Sequence, residues 1–207
     1  MNFKLFDIIY NVSEAKIKGG VIMSKVAVVL APGFEEIEAL APVDVLRRAD
    51  IQVDIIGFDK EVAGAHNIVV KADKVLDESL GDYDMIVLPG GLPGATNLRD
   101  NEIVIDALKK VAASGGYTTA ICAAPIVLDR AGLLKDKKFT NYPGFEKEIS
   151  SGSYQDALVV VDGKVVTGRG PGVALDFSYE LLEILGGNRQ EIVQSMQYDK
   201  LFELKEG

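Results

Sequence analysis

The hydrophobic positions of this chain fall into short unbroken runs separated by longer stretches of helical spacing. Val26-Ala27-Val28-Val29-Leu30 is apolar throughout, as expected of a parallel strand covered on both faces. Residues 35–49 then carry Ile37, Leu40, Ala41, Val45 and Leu46 at helical intervals, which predicts a helix with an apolar face. The same reasoning predicts strands at 52–57, 84–88 and 117–121, a short strand in a small ribbon at 68–73, and a helix over about 101–113. A further helix follows Cys122 to about Ala131, and Asp162-Gly163 between two apolar runs predicts a hairpin. Gly168-Arg169-Gly170-Pro171-Gly172 opens a helix running to about Leu185, with a last helix near 191–196. Strands alternating with helices predict an α/β fold, a three-layer α/β/α sandwich with a largely parallel sheet.

Residues 1–22 stand apart from this pattern. Lys4 and Asp7 interrupt their apolar residues and no small-residue cleavage site follows, so they lack the layout of a signal peptide. Met23-Ser24-Lys25 reads as a fresh start before the first strand, and Lys18-Gly19-Gly20 as a purine-rich ribosome-binding sequence translated into protein. The expectation is an N-terminal extension, 1–22, arising from a misplaced start site, and one domain over 23–207.

Composition narrows the function classes. A chain of 207 residues with 48% hydrophobic and 26% charged residues is ordinary for a globular protein with a sizeable core. A net charge of -9 argues against attraction to nucleic acid or anionic membrane, and no apolar run is long enough to span a bilayer. One cysteine excludes an internal disulfide and fits a reducing, cytoplasmic setting, and one cysteine with one histidine makes no zinc-type ligand cluster. No metal or cofactor is expected.

The chemistry concentrates where strands end, because ligands of open α/β sheets bind beyond the carboxyl ends of the strands. Tyr117-Thr118-Thr119-Ala120-Ile121-Cys122-Ala123-Ala124-Pro125 reads as a strand turning sharply into a helix with the sole cysteine at the corner. Near a helix N-terminus a thiol is favoured as thiolate; the other reading is a small buried hydrophobe. Glu35 and Glu36 fit a solvated first helical turn, whereas Glu38 neighbours the apolar face and could be either a core or a site carboxyl. Gly90-Gly91 is either a plain turn or a backbone N–H donor site. The Gly168–Gly172 segment has no Lys-Ser/Thr pair and no G-x-G-x-x-G spacing, which excludes a nucleotide cradle.

Taken together, Leu30-Ala31-Pro32-Gly33-Phe34-Glu35-Glu36-Ile37-Glu38, Val87-Leu88-Pro89-Gly90-Gly91, Ala120-Ile121-Cys122-Ala123-Ala124-Pro125 and Gly168-Arg169-Gly170-Pro171-Gly172 resemble the ThiJ/PfpI superfamily. The match is to the branch of the parkinsonism-associated deglycase and its bacterial relatives. It runs in order and spacing from Lys25 to the C-terminus. The resemblance implies a flavodoxin-like sandwich, a homodimer and an oxidation-sensitive cysteine. By position, Cys122 matches the reactive cysteine, Glu38 the carboxyl that hydrogen-bonds it in protonated form, and Gly90 and Gly91 the backbone-donor turn. Ala123 N–H would be a second donor, and Arg169 would help fix the site or the dimer. The activity implied is a cysteine-dependent glyoxalase or deglycase acting on methylglyoxal, glyoxal or early glycation adducts. The alternative is an oxidative-stress sensor or holdase chaperone.

Two positions depart from the superfamily's patterns. Ala123 stands where the protease-like branch has a histidine, which disfavours peptide hydrolysis because no imidazole can protonate a leaving amine. Tyr142, in Thr140-Asn141-Tyr142-Pro143, stands where the human member of the branch has a histidine. The lone histidine, His66, falls where relatives place an arginine near the dimer contact and reads as a surface-loop residue.

Overall fold

Strand β1 (Lys25–Leu30) is the axis of the molecule, its Val26, Val28 and Leu30 entering one core and its Ala27 and Val29 the other. Side chains leave a strand on opposite faces in turn, so a strand with helices on both sides must be apolar at every position. The computed structural model describes residues 24–203; the proposed extension, residues 1–22, and the start at Met23 lie outside the described residues.

From β1 the chain passes through helix α1 (Glu36–Arg48) to β2 (Gln52–Gly57), then an antiparallel ribbon of β3 (Glu61–Ala63) and β4 (Val69–Lys71) and the edge strand β5 (Lys74–Val75). Next come β6 (Met85–Leu88), α2 (Gly94–Arg99), α3 (Glu102–Ala113), β7 (Tyr117–Ile121) and α4 (Pro125–Arg130). Two short strands, β8 (Lys138–Phe139) and β9 (Ser153–Tyr154), pair apart from the main sheet. The hairpin β10 (Val159–Asp162) and β11 (Val165–Gly168) leads into α5 (Ala174–Ile184), α6 (Arg189–Ser195) and α7 (Lys200–Glu203). The seven-stranded sheet runs β10-β11-β7-β6-β1-β2-β5 and is parallel except for the β10–β11 pair. Residues of α1, α5 and α6 build the core on one face, and residues of α2, α3 and α4 that on the other. This is the three-layer α/β sandwich of the sequence reading. No helix among the described residues is long and apolar enough to cross a membrane.

The chain leaves β1 toward β2 on one side and later returns to fill β6 and β7 on the other. The strand order therefore reverses at the β1–β6 boundary, and open α/β sheets bind ligands at the carboxyl ends of the strands at such a point. Cys122, Glu38 and Gly90 all follow these strands.

Three local expectations are revised. Helix α2 arises directly behind the Gly/Pro-rich turn after β6, where the sequence reading placed no helix. The helix expected from Gly168 begins only at Ala174, after a 3₁₀ turn at Pro171–Val173, because Gly170 is extended. Most consequentially, the buried face of α1 is only in part the one its apolar spacing implied: the second half of the stripe is buried and the first half is not. Ile37 is 58% exposed and Leu40 37%, while Glu36 and Glu38 are buried with Ala39, Val43, Val45 and Leu46.

Candidate functional site

Cys122 occupies a sharp strand-to-helix corner with a φ of 63°, a left-handed conformation that costs a non-glycine residue about 1–3 kcal/mol unless its surroundings enforce it. They do so from both sides. Its N–H donates to Gly168 O at 2.9 Å, and its carbonyl accepts from Tyr142 N–H at 2.9 Å. β7 supplies the approach, and Pro125, which needs no N–H partner in a first helical turn, starts α4 three residues on. The thiol is partly buried.

Glu38, from the first turn of α1, is completely buried. Its Oε2 accepts from Gly90 N–H at 2.8 Å. Gly90 has to be a glycine here, because a Cβ would lie 2.8 Å from Cys122 Cβ, 2.9 Å from Glu38 Oε2 and 3.0 Å from Ala123 N. The loops after β1 and β6 meet with equal intimacy: a Cβ on Gly91 would come within 2.5 Å of Glu35 N and Gly33 O, and one on Gly94 within 2.6 Å of Phe34 N. Backbone packs on backbone, and that contact sets Glu38 against the turn that serves it.

The two glycines have different partners. Gly90 N–H serves the carboxyl, whereas Gly91 and Ala123 N–H groups point their positive ends at the Cys122 sulfur. Burial pushes Glu38 up from 4.5 to about 7, against the opposing pull of Gly90 N–H and Cys122, with the charge of Glu35 adding to the rise. Burial also raises the Cys122 thiol, and the Glu38 charge raises it further, while the Ala123 and Gly91 N–H groups draw it down. The helix-terminus argument for a lowered thiol is therefore outweighed, first by burial and then by the charge and hydrogen bond of Glu38. Glu38 Oε1 is buried without a hydrogen bond of ordinary geometry, a natural seat for a proton. Above pH 7 the pair retains one proton. Placed on Glu38, that proton leaves a thiolate facing two backbone donors and a neutral acid.

Of the other residues singled out, Tyr142 joins the site through its bond to Cys122. Arg169 lies beside Gly168, but its guanidinium pairs with Asp156. His66 is not brought to the thiol. Its main-chain N–H and its ring Nδ1 both engage Glu36, each at 2.7 Å. Glu36, expected to be solvated, is 4% exposed and packs against Gly64. Glu35 caps α1 by accepting from Glu38 N–H at 2.7 Å. Glu35, Glu36 and His66 are the one group among the described residues close enough to hold a metal ion. Both Glu36 oxygens and one Glu35 oxygen are engaged in these protein hydrogen bonds, so the trio is a cap and a loop anchor. This coupling escaped the sequence reading because 30 residues separate Glu36 from His66. Asn141 also went unnoticed: it is fully buried beside Tyr142, with neither side-chain amide atom hydrogen-bonded.

The His66–Glu36 contact makes a prediction. The bond to Glu36 raises the His66 pKa above its ordinary 6.5. Burial raises Glu36, but the His66 bonds outweigh it, and its pKa ends below 4.5. The histidine's contribution to stability is present below about pH 6.5 and lost as pH rises through its folded pKa; the carboxylate's is present above about pH 4.5 and lost in acid. An NMR titration of the single imidazole should give a midpoint above 6.5 that returns toward 6.5 in Glu36→Gln. Equal midpoints in both proteins would refute the coupling.

Comparison with known proteins agrees with this architecture. Residues 24–184 match the DJ-1/PfpI family. The chain belongs to the DJ-1/PfpI family. It is 38% identical to protein DJ-1beta of Drosophila melanogaster over 182 residues, covering 84% of this chain and 97% of that one. It is 37% identical to the Parkinson disease protein 7 homolog of Danio rerio, covering 77% of this chain and 88% of the relative. The crystal structure of Drosophila DJ-1beta superposes with a TM-score of 0.82 at 36% identity, over 85% of this chain and 98% of that structure. A DJ-1 superfamily protein from Salmonella typhimurium gives 0.80 at 37% identity, over 84% and 98%. The flavodoxin-like sandwich expected of the DJ-1/PfpI family is the fold found.

Proposed function

We propose that this DJ-1/PfpI protein is a cofactor-independent glyoxalase acting on methylglyoxal and glyoxal, able to begin the same chemistry on early glycation adducts. The observation that carries the reading is a buried Glu38 carboxyl, raised to about 7, coupled to a clamped Cys122 whose sulfur faces two backbone N–H groups. Cys122 sulfur adds to the aldehyde carbon, and the carbonyl oxygen takes a proton to give a hemithioacetal. Glu38 removes the proton from that carbon and returns it to the neighbouring one. The first carbon rises to a thioester while the ketone, or second aldehyde, becomes an alcohol. Water cleaves the carbon–sulfur bond and releases lactate or glycolate with the thiol restored. The redox change is internal to the substrate. Gly91 and Ala123 N–H groups stabilise charge at the reacting centre.

The test is hydroxy-acid formation by purified protein from methylglyoxal, with no thiol or metal added. Many turnovers per chain support the reading. A single covalent adduct that never turns over favours the alternative of an oxidative sensor or holdase in which Cys122 is oxidised to a sulfinate held by the same donors. That alternative has support in a structural neighbour from Toxoplasma gondii, described in oxidised form.

The reading also includes a homodimer in a reducing compartment, the cytoplasm. Ile37 and Leu40 on α1 and Ile68 and Val69 on the ribbon are exposed apolar side chains, 58%, 37%, 53% and 59% respectively. Ala65 N–H to Phe34 O at 2.8 Å ties the turn of the ribbon to the loop that leads into α1, and we read the four side chains as one surface. Such a surface is suited to a second copy of the chain. Ile37→Lys should weaken self-association by about thirtyfold or more, read by sedimentation velocity, since burying an unpaired charge costs about 2 kcal/mol or more. A wild-type chain that sediments as a monomer at micromolar concentration would end the dimer reading.

A further inference from the structure

Two large exposed side chains without an assigned task belong to segments that adjoin Cys122. Tyr142 is 48% exposed and Leu92 55% exposed. Each is tied to Cys122 at short range: Tyr142 through its own N–H to the Cys122 carbonyl, and Leu92 as the neighbour of Gly91, whose N–H faces the sulfur. The Tyr142 ring also leans on Gly170, where a Cβ would lie 3.2 Å from its Cδ2. Gly170 follows Gly168 and Arg169, and Gly168 O holds the Cys122 N–H. The ring of one clamping segment thus rests beside the other, while about half of the residue stays exposed.

Exposed apolar side chains in the segments that adjoin a reactive group are available to a substrate that reaches it. A methyl group is too small to cover a phenol ring, whereas an aryl group stacks on it or meets it edge to face. Resting on the glyoxalase reading, we infer that Tyr142 and Leu92 form an apolar mouth that selects α-oxoaldehydes bearing an aromatic group over those bearing a methyl group. Tyr142 determines specificity, and its ring, not its hydroxyl, does so.

The test compares kcat/KM for phenylglyoxal and methylglyoxal in wild type, Tyr142→Ala, Tyr142→Phe and Gly170→Ala. The readout is the phenyl-to-methyl ratio, which does not depend on the fraction of active protein. Tyr142→Ala should lower that ratio about fivefold, the scale of one aromatic contact, and Tyr142→Phe should keep it. Gly170→Ala suits the extended backbone there, φ 166° and ψ -173°, and should lower the ratio by displacing the ring without altering it. In parallel, alkylation rates of Cys122 with N-phenylmaleimide and N-methylmaleimide, followed by intact mass, give the same ratio without turnover. Failure to form hydroxy acid from either aldehyde overturns the glyoxalase reading, and the maleimide ratio then decides the apolar mouth alone. Turnover of both aldehydes with a ratio unmoved by Tyr142→Ala, or lowered equally by Tyr142→Phe, overturns the inference and leaves the glyoxalase reading standing.

Discussion

Glu38→Gln lowers hydroxy-acid formation from methylglyoxal by about a hundredfold or more, the usual worth of a positioned proton carrier. Cys122→Ser removes the nucleophile and reduces turnover further, to background. The glutamine is nearly the same size and can still accept from Gly90 N–H, so the loss reports on the proton and not on packing. The pH profile separates the two roles. In wild type the pair sheds its first proton near Glu38's raised value of about 7 and keeps the second. The competent singly protonated state fills as pH rises. Log kcat/KM should therefore climb below pH 7 and level off above it, and Glu38→Gln should abolish that inflection. The same shift acts on folding. A carboxyl raised from 4.5 to about 7 binds its proton more tightly in the native chain, so it costs roughly 3 kcal/mol of stability as pH rises through that window. Wild type should lose Tm between pH 5 and 8 by more than Glu38→Gln does. A variant retaining wild-type turnover, with the inflection in place, would remove Glu38 from the mechanism.

Gly90→Ala should silence the site while leaving a folded protein. The added methyl group would lie within 3.0 Å of Cys122 Cβ, Glu38 Oε2 and Ala123 N; the Glu38 carboxyl ends a side chain and could swing aside, but Cys122 Cβ and the Ala123 main chain could not. The turn must give way, carrying the Gly90 N–H off Glu38 and the Gly91 N–H off the sulfur. Overpacking of this kind costs about 1–3 kcal/mol, which lowers Tm by about 2–4 °C per kcal/mol in a chain of this size. The loss of aligned donors should cost about a hundredfold in turnover. Gly91→Ala should hurt stability more, because Gly91 has a φ of 83° and its Cβ would meet backbone at 2.5 Å. Calorimetry with a turnover assay checks both, and turnover by Gly90→Ala within about threefold of wild type would refute the packing argument.

The legibility of this chain was uneven for physical reasons. Core strands such as Val26-Ala27-Val28-Val29-Leu30 are readable because burial on both faces demands unbroken apolar runs, and the Asp162-Gly163 hairpin because its turn selects its residues. Helix α1 was readable in extent, and in orientation only over its second half, where Val45 and Leu46 are buried as expected. Periodicity finds an apolar stripe but does not say what covers it, and here Ile37 and Leu40 face solvent while two glutamates are buried. Cys122, Glu38 and the glycine turn could be nominated from motifs, but not their division of labour. That Gly90 serves the acid and Gly91 the sulfur depends on two loops meeting backbone to backbone, 52 residues apart along the chain from Glu38 to Gly90. The tie between Glu36 and His66 was hidden in the same way.

The stacked loops at Gly33, Gly91 and Gly94 have a consequence for anyone rebuilding this protein. Because main chain rests on main chain there, no conservative exchange exists at those three positions, and a mutagenesis library that randomises them will be dominated by collapsed members. The scaffold is correspondingly forgiving where side chains stand clear of it, at Leu92 and Tyr142. New substrate ranges should be sought by varying that pair on an untouched glycine frame, since the frame carries the geometry and the pair carries the choice.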